Sequence, residues 1–308
     1  MRLLSVLSVC AVLLTAPLAH AQTVTIFTFD KNHKPSTVEV KANAQRIATS
    51  DLASLDILDN LGLGDKVVAM PKTTKVQYLM KYFNNDKITN IGSLKEVDLE
   101  KLMQAKPDII FISGRLAGSI DRLSKIAPVV YLTLDYHTPF LKNIERNALA
   151  IAKIYGKESS VHELVASMQQ RYDSIRQKAN GKTAVIGLTT ASNFRTLGDD
   201  GRAGIIGREL GFVNLAKEIS ATHGNESSFE LLVKLDPEYI FVLDRDSAIS
   251  RPGAKLARDL MDNELVRNTK AFKNNRIFYL NPQVWYLAEG GITAASAMLE
   301  DVEKSLEK

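Results

Sequence analysis

Two stretches of this chain can be laid over each other at an offset of 130 residues: VDLEKLMQAKPDIIFISGR at 97–115 and SSFELLVKLDPEYIFVLDR at 227–245. Glu100 falls on Glu230, Leu102 on Leu232, Pro107 on Pro237, Ile110 on Ile240, Phe111 on Phe241 and Arg115 on Arg245, with Asp108 over Glu238 a near match. Each stretch reads as a short helix, a proline turn and a buried strand (IIFI, IFVL) ending in a loop with an arginine; Asp98 and Ser228 are the expected helix caps. Smaller pieces recur in the same order. Leu61-Gly62-Leu63 matches Leu210-Gly211-Phe212, and Val130-Tyr131-Leu132 matches Phe278-Tyr279-Leu280. Strands alternating with helices require crossover connections, hence a largely parallel sheet. The repeat therefore predicts two related α/β lobes, and 308 residues suffice for two cores of about 130 to 150 residues each.

Between the lobes lies ESSVHELVASMQQRYDSIRQKANG. Val161, Leu164, Val165, Met168, Tyr172 and Ile175 keep helical spacing, Gly181 follows the end, and Ser160 with Glu163 is expected to form a capping box. Some 19 helical residues would span about 28 Å, enough to run from lobe to lobe. A helical connector is stiffer than loop crossovers, so only modest hinge movement is expected. VTIFTFD and STVEV, flanking Lys31 to Lys34, read as a β-hairpin.

The chain opens MRLLSVLSVCAVLLTAPLAHAQ. Arg2, an apolar run from Leu3 to Leu14 and Ala19-His20-Ala21 read as a secretory signal cut after Ala21; the run is too short for a good membrane span. Val9 is too bulky for Leu7-Ser8-Val9-Cys10 to make a good lipoprotein site. The expected organisation is a signal peptide at 1–21, an N-terminal lobe at 22–156, a connecting helix at 157–180 and a C-terminal lobe at 181–308. Cleavage removes Arg2 and Cys10, lowering the formal charge from +4 to +3 and leaving no cysteine. That excludes a disulfide framework and a cysteine-rich zinc site, and the weak charge argues against a nucleic-acid partner. The expected product is an exported soluble monomer, most simply periplasmic.

Enzyme signatures are missing: there is no G-x-S-x-G elbow, H-E-x-x-H, Walker A loop or dinucleotide fingerprint. No catalytic residue and no intrinsic cofactor are assigned. The glycines of GDDGRAGIIG at 198–207 read as a loop entering a helix. Ligands of open α/β sheets bind at strand-end loops, where Arg115, Arg245 and, in the glycine-rich loop, Arg202 stand. One loop arginine is usually a solvated side chain. Two at equivalent repeat positions would face one cleft, and their planar donor forks suit a flat, oxygen-rich anion. Only four histidines lie beyond the leader (His33, His137, His162, His223), with no His-rich run, which disfavours a site built on several of them.

The order signal, lobe, long helix, lobe, with E-x-L-x(4)-P-[DE]-x-I in each lobe, resembles the periplasmic substrate-binding proteins of iron-siderophore, haem and vitamin B12 ABC importers. Within that class, THGNESSFE, VLDR and NPQVWYLAEGG resemble the binding proteins for ferric catecholate siderophores of the enterobactin type. The resemblance covers essentially the whole mature chain. It implies two lobes joined by one long helix, and no catalysis. It implies that Arg115, Arg202 and Arg245 neutralise catecholate oxygens, with Arg195 and Arg208 as neighbours of Arg202 that could take its place. It further implies that His223 and Tyr286 fill the iron positions left open by a tetradentate bis-catecholate, a hard ferric ion being suited to phenolate oxygen and imidazole. Glu100 and Glu230 match the acidic residues through which that family docks on its inner-membrane permease, itself coupled to an ATPase. A haem-binding protein of the same fold is the nearest alternative, because Tyr and His also ligate haem. An exported metal-complex-processing enzyme is the alternative from another class, though it would want cysteines or a nucleotide loop.

Overall fold

The structure, a computed structural model, describes residues 22–218, the backbone of 225 and 226, and residues 229–307. The leader, His223 and Ser228 lie outside the described residues. The chain enters as an antiparallel hairpin of β1 (Thr23–Phe29) and β2 (Pro35–Lys41), paired from Thr23↔Lys41 to Phe29↔Pro35. Asp30 closes it by accepting the backbone N–H groups of Asn32 (2.8 Å) and Lys34 (2.9 Å).

A first sheet follows, built from β3 (Ile47–Thr49), β4 (Val67–Met70), β5 (Thr89–Asn90), β6 (Ile109–Ile112) and β7 (Val129–Tyr131). Its order is β5-β4-β3-β6-β7 and every pairing is parallel. The IIFI strand lies between β3 and β7 and is buried throughout, as expected of a strand covered on both faces. The second sheet comprises β8 (Thr183–Thr190), β9 (Asn193–Leu197), β10 (Val213–Asn214), β11 (Asn225–Glu226), β12 (Tyr239–Asp244) and β13 (Ile277–Leu280). Here β8, β12 and β13 are parallel, and β10 joins β8 in parallel, but β9 pairs antiparallel with β8 and, on its other side, with β11. The largely parallel sheet expected from the repeat is therefore complete in the first lobe and only partial in the second.

The repeat is physical down to its turn. Helices Leu99–Gln104 and Phe229–Leu235 lead to Lys106 and Asp236, which both sit in the left-handed region (φ 46° and 43°). Pro107 and Pro237 follow, both buried. Asp108 then accepts the backbone N–H groups of Gln45 (2.8 Å) and Arg46 (3.0 Å) ahead of β3, while Glu238 accepts that of Thr183 (2.8 Å) at the head of β8. The acidic residue after each proline thus clamps the start of the neighbouring parallel strand. Asp98 caps its helix through the N–H of Lys101, 3.0 Å away.

The connecting helix runs Glu158–Ala179 and buries Val161, Met168 and Ile175. The expected capping box does not form. Gly156 takes a left-handed conformation (φ 64°) that ends the preceding turn, and the helix restarts at once with Lys157 as an N-cap lacking a side-chain bond. Ser160 is then already helical. Arg171 ties this helix to the C-terminal helix Ile292–Ser305, donating to Glu303 and, at 2.8 Å, to Ser296. That last helix also reaches back to the first lobe. Asp56, in helix Leu52–Asn60, accepts the N–H groups of Thr293 (3.0 Å) and Ala294 (2.9 Å) at its N-terminus. The approach requires Gly291, where a Cβ would fall 2.2 Å from the Asp56 carboxylate. Among the described residues no helix is long and apolar enough to cross a membrane.

Candidate functional site

A cleft of about 470 Å³ opens where the strand ends of both sheets meet, and Arg115, Arg202, Arg245 and Tyr286 all line it. Arg115 sits in the 3-10 turn Gly114–Ser119 directly after β6, and Arg245 opens helix Arg245–Ala248 directly after β12. Arg202 reaches the cleft from a loop that folds tightly over Asp199; a Cβ at Gly204 would lie 2.1 Å from the Asp199 carbonyl oxygen. The neighbouring Arg208 turns away to Glu209 and the Asp199 carbonyl, and neither it nor Arg195 lines the cleft.

The three guanidinium groups surround one residue. Tyr286 stands on helix Pro282–Leu287, which Asn281 caps and Pro282 starts. Arg115 Nη2 donates to the Tyr286 carbonyl at 3.0 Å, and Arg202 Nη1 donates to the carbonyls of Trp285 (2.8 Å) and Tyr286 (3.3 Å). Arg245 Nε donates to the Tyr286 phenol oxygen at 2.8 Å. Arg202 also lies over the Tyr286 ring, 4.6 Å from its centroid, with Arg245 at 5.6 Å. Trp285 points the other way, fully buried, its indole N–H donating to Asp301 at 2.9 Å. Of the Trp-Tyr pair, one residue packs the core and the other faces the cleft.

Carboxylates stand behind the cations. Arg202 Nη1 contacts Glu289 at 3.0 Å, and Tyr136 from the first lobe donates its phenol to the same oxygen at 3.3 Å. Asp246, under Arg245, accepts the N–H of Ala191 at 2.7 Å. That bond supports a tight β8–β9 turn in which Ala191 and Ser192 both hold positive φ (49° and 62°) without glycine. Asp51 lines the cleft near Arg115 while capping its helix through the N–H and hydroxyl of Ser54. Burial pushes the carboxyls of Asp51 and Glu289 above their usual range; Ser54 and Arg115 oppose this at Asp51, Arg202 and Tyr136 at Glu289. Burial, reinforced by the Arg202 charge, holds the Arg115 guanidinium below its usual value.

The cleft thus gathers fixed cationic donors from both lobes around Tyr286. A family model described as periplasmic binding protein matches residues 47–284. The chain belongs to that family. Periplasmic binding proteins are substrate carriers and not enzymes, in keeping with the absence of catalytic motifs. The petrobactin-binding protein YclQ of Bacillus subtilis is 34% identical over 273 residues, 88% of this chain and 85% of that protein. Its crystal structure matches with a TM-score of 0.86 at 33% identity, covering 92% of this chain and 99% of that one. The ferric-anguibactin-binding protein FatB of Vibrio anguillarum is 25% identical over 278 residues, covering 88% and 85% of the two chains. The periplasmic catecholate-siderophore binding protein VctP of Vibrio cholerae matches with a TM-score of 0.80 at 27% identity, covering 91% of this chain and all of that one.

Not every expected residue reaches the cleft. His223 lies outside the described residues; among those described, His33 lines the cleft, its Nδ1 2.6 Å from the Tyr131 phenol oxygen. No three His, Cys, Asp or Glu side chains among the described residues are placed to hold a metal ion. Glu100 and Glu230 are exposed in the first turns of their helices, away from the cleft. Sequence reasoning missed Asp51, Lys95, Tyr136 and Glu289, all of which line the site. For Glu289 a signal existed: it stands in the same NPQVWYLAEGG stretch, three residues after Tyr286.

Proposed function

We propose that this binding protein captures ferric siderophore complexes, catecholates in particular, in the periplasm after cleavage of its leader behind Ala21. It then passes them as a monomer to an inner-membrane ABC permease. The observation that carries this reading is the convergence of three arginines from both lobes on Tyr286. The siderophore-binding names of YclQ, FatB and VctP support it. Ferric iron is cargo here, arriving inside its chelator. Arg115, Arg202 and Arg245 answer the negative charge of the complex with charge-assisted hydrogen bonds. The Tyr286 phenol, oriented by Arg245, completes the iron coordination where a bis-catecholate leaves positions open, with His223 as its partner. Exposed Glu100 and Glu230, repeat-related, serve as one handle per lobe for a two-fold permease.

Replacing Tyr286 by Phe tests the coordination directly. The variant should bind a ferric bis-catecholate at least about tenfold more weakly, about 1.4 kcal/mol, and barely change its affinity for a tris-catecholate, whose iron is already saturated. The opposite order would remove Tyr286 as an iron ligand.

A further inference from the structure

Three arginines suggest a strongly cationic cleft, but the surroundings of Glu289 say otherwise. Its side chain is only 8% exposed and that of Arg202 only 11%, with 3.0 Å between them. Arg202 Nη1 is wholly committed to protein acceptors, and its buried Nε has no hydrogen-bond partner. Around Glu289 stand the Arg202 guanidinium and Ala203 backbone N–H from the glycine-rich loop, the Tyr136 phenol from the loop after β7, and the Arg115 guanidinium from the turn after β6. A carboxylate held there offsets one of the three guanidinium charges and ties the Nη1 corner of its arginine to the protein.

We propose that Glu289 is a specificity-determining residue of the cleft, positioning Arg202 and setting the site charge so that complexes of low negative charge are favoured over highly charged ones. The proposal rests on reading the cleft as a ferric-catecholate site. A ferric ion with two catecholates carries one net negative charge; with three it carries three. A fixed carboxylate beside the ligand repels the second complex more than the first, and its buried position weakens the screening that would hide the difference.

The test is the ratio of affinities for ferric tris-catecholate over ferric bis-catecholate, measured by equilibrium titration of the full mature chain. Glu289→Gln should move the ratio toward the tris complex by roughly tenfold, the size expected of one charge acting on two others across such a site. Arg202→Met, which leaves Glu289 without its cation, should move it the opposite way. The paired variant Arg202→Met with Glu289→Gln should return to within about threefold of the wild type. A purely structural role would lower both affinities together and leave the ratio in place. A ratio that ignores Glu289→Gln, or moves the same way in both single variants, overturns the proposal while the siderophore reading stands. Should Glu289→Gln fail to fold, Arg202→Met and the paired variant still decide the sign. A wild-type chain that binds neither complex would instead sink the siderophore reading, and this proposal with it.

Discussion

Arg115 and Arg245 occupy the same place in the two repeats yet do different work. Arg245 stays largely within its own lobe, donating to Thr190 Oγ1 at 3.1 Å and to the Tyr286 phenol, with Asp246 beneath it. Arg115 crosses from the first lobe to a backbone carbonyl of the second. Both arginines stand at strand ends, but one donates to the Tyr286 phenol and the other bridges the lobes. Arg202, Tyr286 and Glu289 belong to the second lobe, while Asp51, Lys95 and Tyr136 line the cleft from the first. The first lobe has the fully parallel sheet, and the second supplies two of the three arginines together with the tyrosine they surround.

The two arginines are the sharpest place to break that contrast. Arg245→Met should weaken binding of a ferric bis-catecholate about 100-fold, because it removes a charged donor and frees the phenol it holds. Arg115→Met should cost only about tenfold, since much of its hydrogen bonding is spent on the protein. Equal losses by titration would mean that repeat position alone governs the role.

Smaller effects are expected where the lobes are alike. Partial burial works to raise the Asp108 carboxyl, but the Gln45 and Arg46 N–H groups and the Lys41 ammonium together hold it below its usual range. The Thr183 N–H does the same for Glu238 against weaker desolvation. A depressed folded-state pKa stabilises above the unfolded value, about 4, and that stability is lost as pH falls through the folded value. Asp108→Asn and Glu238→Gln should therefore each cost about 1 to 2 kcal/mol at neutral pH and flatten the acid side of the stability profile. Denaturant unfolding between neutral and acid pH checks both; an unchanged acid limb in either variant would deny the clamp in that lobe.

What the sequence made legible follows the same division. The repeat, the opening hairpin, the connecting helix and the strand-end arginines are local patterns of spacing and could be read directly. The failed capping box shows the limit: Ser160 and Glu163 have the right spacing, but left-handed Gly156 restarts the helix earlier. The antiparallel β9 depends on a turn of Ala191 and Ser192 that carries no glycine and is held by Asp246, 54 residues further on or more. Glu289 acquires its meaning only from Arg202 and Tyr136, which lie far away in the chain. Position within an element is written locally, whereas the partners of a buried charge are written across the fold.

Trp285, the sole tryptophan, is buried directly behind Tyr286 and its carbonyl accepts Arg202, so its fluorescence reports on the cleft. The decisive measurement is titration of that fluorescence with ferric bis- and tris-catecholates, a ferric hydroxamate, haemin and cobalamin. Saturable quenching by the catecholates at concentrations far below those needed for the others is the predicted result. Equal quenching by the hydroxamate, or tight binding of haemin with no response to catecholates, would contradict the assignment.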